Sequence, residues 1–232
     1  MKDPGGKVLR FTLNERFQHL ALMICVVLLV ITGLSLRFAD TWLGRAVISL
    51  EGGIEARGVL HRLGAIGLIL LSAYHFLYVV FTERGHNQLM AIRPAGRDFR
   101  DLLATMKINL GMNSAVPRFD RFDFRQKFQY WAVGLGVFSM VFTGLVLWFE
   151  SPSMAVLPKW VFDLTQVIHS SEGLLIFVVL FLWHIYDAHL RPGVFPMDHT
   201  WLTGRLTKEE LHERHPREYE RLFDAEEEEV EK

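Results

Sequence analysis

Six of the ten histidines in this 232-residue chain lie inside or at the edges of long apolar segments: His19, His61, His75, His169, His184 and His189. An ionisable side chain is costly in hydrocarbon, so each is a candidate for chemistry. A lone histidine in such a place is commonly a hydrogen-bonded core residue, and the argument rests on the spacing of pairs. His61 and His75 are 14 residues apart, which on a helix is about 21 Å along the axis and about 40° around it. His169 and His184 are 15 apart, about 22 Å and about 60°. On two helices running in the same direction these residues fall at two matched levels, His61 with His169 and His75 with His184. Two imidazoles facing each other at one depth can hold a planar macrocycle from opposite sides, and bis-histidine haem is the membrane use of that geometry. Copper or zinc would gather three or four ligands at one level, with thiol or carboxylate help. Cys25 is the single cysteine, and Glu172 and Asp187 are the acids near the fourth apolar segment. That composition favours haem and excludes an intramolecular disulfide, a four-cysteine cluster and covalent CxxCH attachment.

Residues that must be held at matched depths need long, parallel supports, and four apolar segments supply them: about 20–38, 59–81, 128–149 and 164–186. Each reaches the length of about 20 residues that crosses a bilayer. Residues 20–34 and 131–149 contain no charged side chain, whereas a soluble helix keeps one polar face. The expected fold is an all-α membrane protein, a four-helix transmembrane bundle with haem between the helices, occupying residues 1–190. The basic lead-in before the first segment imitates a signal peptide, but the apolar run is long and Gly33-Leu34-Ser35-Leu36-Arg37 is a poor cleavage site. The segment up to Gln18, the loop 82–127 and the stretch from Asp187 onward carry four, nine and seven Lys/Arg; the loops 39–58 and 150–163 carry two and one. By the positive-inside rule both termini and the central loop face the cytoplasm, which predicts a multi-pass protein of a bacterial or archaeal inner membrane.

Outside the spans, residues 98–112 place Phe99, Leu102, Leu103, Met106 and Leu110 on one helical face. This is read as a helix lying along the inner surface or packing on a partner subunit. Residues 191–232 read as a cytoplasmic tail ending in the acidic run DAEEEEVEK, usually solvated or disordered. A net charge of −1 excludes a globally basic nucleic-acid binder, and 50% apolar content excludes general disorder. No internal repeat, phosphate-cradling glycine loop or nucleophile motif stands out.

Small residues flank the histidines: Gly64 and Gly67 follow His61, and Ser170, Ser171 and Gly173 follow His169. A flat macrocycle needs helix surface without bulk; close helix crossings need the same residues. Arg62, Arg16 and Arg191 are candidate partners for haem propionates, because a guanidinium pairs with a carboxylate in a fork. For Arg16 and Arg191 an interfacial charge explains the residue equally well.

In combination, RFTLNERFQHLALMICVVLLVITGL, GVLHRLGAIGLILL, RQKFQYWAVGLGVFSMVFTGLVLWF, VIHSSEGLLIFVVLFLWHIYDAHL and HERHPREYER resemble the di-haem cytochrome b subunits of membrane-bound formate dehydrogenases (the gamma subunit), nickel–iron hydrogenases and thiosulfate reductases. The resemblance covers about residues 9–222. It implies two b haems on opposite sides of the membrane and exchange of electrons between a periplasmic catalytic module and menaquinone, with ubiquinone as the alternative. Carried over by motif, His61 and His169 would hold the outer haem, and His19 and His184 the inner one. Spacing alone prefers His75 opposite His184, and His184 stands one residue further from His169 than the family pattern expects. Six histidines would also suffice for three bis-histidine sites; otherwise the spare His75 or His189 is expected to serve a quinone as hydrogen-bond partner or proton relay. The family's quinone pocket maps to the entrance of the third span, where Asp123 replaces an asparagine and Gln126 and Lys127 follow. Asp123 could pass protons there or pair with Arg121 or Arg125.

These observations predict an electron-transfer subunit of a respiratory oxidoreductase complex, with periplasmic catalytic or electron-carrier partners, membrane lipid around it and no complete active site of its own. Two other classes compete. A proton channel or transporter with a histidine relay would need neighbouring histidines rather than two separated levels. A passive membrane anchor would need none of them.

Overall fold

The computed structural model describes residues 7–230. It is 78% helical. The helices are α1 (Leu13–Arg37), α2 (Trp42–Leu50), α3 (Ile54–Phe81), α4 (Glu83–Ile92), α5 (Gly96–Asn109), α6 (Phe124–Trp148), α7 (Glu150–Val156), α8 (Lys159–Val178), α9 (Thr200–Thr203), α10 (Lys208–Arg214) and α11 (Pro216–Val230). The helical path of α8 continues as two π-helical stretches, Val179–His184 and Tyr186–Leu190. Two short strands, β1 (Val8–Leu9) and β2 (Arg205–Leu206), pair antiparallel with Val8 opposite Leu206.

Four helical segments are long and apolar enough to cross a bilayer: Leu13–Arg37, Ile54–Phe81, Phe124–Trp148 and Lys159–Leu190. Each begins before its sequence-based bound, chiefly because polar residues at the N-terminal end cap the helix rather than stop it. Thr12 and Glu15 form a reciprocal capping box: the Glu15 N–H donates to Thr12 Oγ1 at 3.3 Å and the Thr12 N–H to Glu15 Oε2 at 2.7 Å. Asp123 and Gln126 start α6 in the same way. The surface-lying helix expected at 98–112 is α5; it ends earlier because Gly111 takes φ 72°, the left-handed conformation that closes a helix.

Burial is inverted relative to a water-soluble bundle. Buried positions of the long helices include Gln18, Thr32, Ser35 and Thr143, while Phe138, Phe142, Leu135 and Leu70 are exposed. Apolar side chains facing outward belong to a lipid-facing surface, and small or hydroxylated residues pack the helices together. This is a multi-pass membrane protein.

The chain forms two compact units. One comprises Phe17–Phe76 and Ala132–Asp198 and carries all six histidines singled out above. The other comprises the chain up to Arg16, Leu77–Trp131 and the chain from His199 onward, and it holds α10 and α11 of the expected tail. The small core of this second unit is Val8, Leu206, Leu211 and Phe223. Around it runs an ion-pair network. Arg10 and Glu218 are each 2% exposed and paired, Arg121 reaches Glu218 at 2.8 Å and the Arg10 carbonyl at 2.7 Å, and Arg84 binds Glu15 at 3.2 Å. The end of the acidic run, Glu231 and Lys232, lies outside the described residues, as do residues 1–6.

Candidate functional site

The first unit sets two histidine pairs face to face. His61 on α3 and His169 on α8 have ring centres 6.4 Å apart at 73°. His19 on α1 and His184 on the π-helical stretch after α8 have ring centres 6.3 Å apart at 50°. A metal–imidazole bond of about 2.0 Å and about 1.1 Å from the nitrogen to the ring centre require a separation of about 6.2 Å for two imidazoles on opposite sides of one iron. Both pairs meet that requirement, so the residues fit b haem. The next shell meets it too, because Thr32 Oγ1 donates to the Leu28 carbonyl at 2.7 Å. Its lone pair then faces His61 Nδ1 at 2.8 Å. Thr143 repeats the arrangement, donating to the Ser139 carbonyl at 2.7 Å and meeting His169 Nδ1 at 2.9 Å. With each hydroxyl proton on its own helix, the imidazole Nδ1–H would donate to the hydroxyl oxygen and Nε2 would be the free electron pair of the ring.

Glycine supplies the room. A Cβ at Gly144 would stand 3.1 Å from Cε1 of His169, and one at Gly33 3.5 Å from Cε1 of His61. Of the glycines expected to line the macrocycle, a Cβ at Gly64 would meet Leu29 at 3.1 Å and one at Gly67 would meet Cys25 Sγ at 2.9 Å, which marks close helix packing, whereas one at Gly173 would make an ordinary 3.6 Å contact to Met140. The residues missed in the sequence are Thr32-Gly33-Leu34 and Thr143-Gly144-Leu145, one tripeptide used twice, each time on the helix that buttresses a histidine.

His19 and Thr32 are 13 residues apart on α1, so the level of the His19–His184 pair lies about 20 Å from that of the His61–His169 pair. Spacing had paired His75 with His184. Instead His75 Nδ1 contacts Gln18 Oε1 at 2.8 Å, and His19, the next residue of α1, faces His184. The spacing estimate assumed an uninterrupted α-helix. A π turn takes one more residue per turn, so the stretch 179–184 absorbs the extra residue between His169 and His184. His189 lies on the second π-helical stretch, Tyr186–Leu190, five residues beyond His184.

Arg62 lies over the Trp148 ring, 5.6 Å from its centre, and Arg191 sits 3.8 Å from Asp187. Arg16, in the second unit, donates to the Thr203 carbonyl at 3.4 Å and lines a cavity of about 780 Å³ with Lys7, His199 and Arg205. In the same unit Asp123 is 3% exposed and caps α6, accepting from the Arg125 and Gln126 N–H groups at 2.9 Å each. Its other oxygen holds the Arg125 side chain at 2.8 Å. Gln126 completes that cap, and Lys127 donates to both oxygens of Asp98 at 2.9 and 3.1 Å. These groups start α6 and tie it to α5.

Residues 97–196, which include α6, α8 and the Thr143–His169 pair, match the family model described as prokaryotic cytochrome b561. Over nearly its whole length the chain is also similar to proteins named as formate dehydrogenase cytochrome b subunits. It is 24% identical to the formate dehydrogenase cytochrome b556 subunit of Haemophilus influenzae, over 92% of this chain and 82% of that protein. It is 24% identical to the nitrate-inducible formate dehydrogenase cytochrome b556(Fdn) subunit of Escherichia coli K12, over 94% and 93%, and 25% identical to the cytochrome b556(fdo) subunit of the same organism, over 91% and 92%. The chain is thus similar to membrane cytochromes b, with the family model covering residues 97–196 of it. By their names these relatives are cytochrome b subunits of formate dehydrogenases.

Proposed function

We propose that this cytochrome b carries electrons across the bilayer between a redox partner on the outer side and the quinone pool on the inner side, through two b haems. His61 and His169 would hold one and His19 and His184 the other. The observation that carries the reading is the pair of facing imidazoles at each of two levels, both at the separation that one iron requires. Bound b haem supplies one-electron iron chemistry at potentials set by its axial ligands and their hydrogen bonds. The protein's own part is to hold four imidazoles at two levels and to exclude water with apolar helix faces.

The distribution of Lys and Arg supports cytoplasmic termini, with the His19 level inside. Moving an electron inward against an inside-negative potential costs about 2.3 kcal/mol per 100 mV, so the donor must be strongly reducing. Reduction of a quinone consumes two protons, and His75 and His189, at the His19 level, are the groups able to deliver them. Asp123, Gln126 and Lys127 are the proposed positions for quinone contact, beside their capping and ion-pair roles at the entrance to α6.

A reduced-minus-oxidised spectrum with haem-to-chain stoichiometry on the purified protein tests the proposal. Two haems per chain are expected. His61→Ala or His169→Ala should remove one, and His19→Ala or His184→Ala the other, while His75→Ala and His189→Ala keep both. Absence of b-type absorbance would overturn the reading. Three haems per chain, with one lost in His75→Ala, would overturn the two-haem pairing.

A further inference from the structure

We infer that Thr32 and Thr143 are positioning residues that set the protonation pattern of His61 and His169 and, through it, the redox potential of the iron between them. This inference rests on the ligation proposed above and extends it outward by one hydrogen bond on each side.

The two sites were built independently by the chain, on different helix pairs, and agree closely. In each, a threonine hydroxyl donates to the carbonyl four residues earlier, Leu28 at 2.7 Å and Ser139 at 2.7 Å. Back-bonding of this kind satisfies a hydroxyl in an apolar helix and directs its lone pairs outward. Each then stands 2.8 or 2.9 Å from the Nδ1 atom of one histidine. Thr32 is fully buried and Thr143 is 5% exposed, so bulk water does not compete for the bond. A hydroxyl whose proton is committed can only accept, and the ring must therefore carry its proton on Nδ1. Glycine follows threonine at both places, and the ring edge lies against it at the Cε1 atom. Threonine and glycine together fix the ring in direction and in depth.

The consequence is electronic as well as steric. An imidazole that donates its Nδ1 proton to an acceptor is a stronger base at Nε2. A more basic axial ligand favours ferric over ferrous iron and lowers the potential. With both ligands held this way the two effects act on one iron. Removing either hydroxyl should raise the ferrous-to-ferric ratio at a given ambient potential about tenfold, which for one electron corresponds to about 59 mV.

The test uses the full chain in its native membrane or complex, with Thr32→Val, Thr143→Val and the corresponding Ser variants, read by haem content and by equilibrium redox titration. Valine should shift one titrating component upward and leave the other in place, and serine should restore it. If valine costs the haem outright while serine retains it, the hydroxyl is again what matters. Unchanged potentials in both valine variants with full haem content would overturn the inference, and so would loss of haem in valine and serine variants alike, since that marks packing rather than hydrogen bonding. Failure of the ligation itself is seen separately, as full haem content in His61→Ala and His169→Ala.

Discussion

Acidification should loosen the second unit through one histidine that takes no part in haem binding. His215 is 6% exposed. Its Nδ1 lies 2.6 Å from the Asp120 carbonyl, to which it donates, and its Nε2 lies 3.3 Å from the Arg10 guanidinium, from which it accepts. Protonation would set an Nε2–H against a cation. Burial pushes this imidazole down from 6.5 to about 4 and Arg10 pushes in the same direction, against the opposing pull of the Asp120 carbonyl, Glu218 and Asp123. Because the folded value is depressed, the unfolded segment binds the proton first. Stability is therefore full above the ordinary value of 6.5, declines as pH falls, and levels off below about 4. The interval between those values, at about 1.4 kcal/mol per pH unit, corresponds to about 3 kcal/mol.

The interval is free of the nearest competing group. Burial alone would raise the Asp120 carboxyl, but the Arg221 side chain, the Arg121 N–H and Arg97 outweigh it and hold it below its ordinary 3.8. Its contribution is lost only as pH falls below that value. Hydrogen exchange of amides 205–223, corrected for intrinsic rate, should show protection falling roughly a hundredfold between pH 7 and 4.5. His215→Asn keeps a donor toward Asp120 without titrating in this range, and should flatten the profile. An equal slope in His215→Asn, or no slope in the parent protein, would refute the assignment.

Two further outcomes follow from contacts already described. Gly144→Ala places a Cβ 3.1 Å from Cε1 of His169, whereas Gly33→Ala leaves an ordinary 3.5 Å contact to His61. Haem retention against a competing apo-globin should accordingly drop about tenfold for Gly144→Ala and stay within about twofold for Gly33→Ala; equal retention in the two would sink the account of these glycines. Glu218→Gln leaves the buried Arg10 and the half-buried Arg121 guanidinium groups without their shared charge and should cost about 3 kcal/mol. Fluorescence-detected melting should then show the apparent Tm lower by about 10 °C, and a melting curve unchanged from the parent would remove the ion-pair network from the list of stabilising features.

How far the sequence reveals such a site depends on whether the information runs along one helix or between helices. Hydropathy is a property of single segments, so the four spans are legible in it and only their capped ends are not. Facing around one axis is legible as well: His61 and His75 share a side of α3, as 14 residues require. The identity of the partner is a different kind of fact. His184 is met by His19 rather than His75 because α1, not α3, presents the ring at that level, and no periodicity within α3 or α8 encodes which neighbour comes closest. The π turn hides for a related reason. It changes the facing of every later residue in its helix while leaving composition untouched, so an extra residue between His169 and His184 reads as a misfit until the backbone absorbs it. Thr32 and Thr143 were invisible singly, since a threonine in an apolar helix usually does no more than bond its own carbonyl. Twice over, in the same tripeptide and on the helix before a histidine, they carry a signal that does not depend on the overall bundle: a small side chain with a committed proton, followed by a gap for a ring. In a chain built from such helix pairs, a polar residue repeated at equivalent places in two spans is the readable trace of hydrogen bonds to the ligands, and the histidines alone would not have located it.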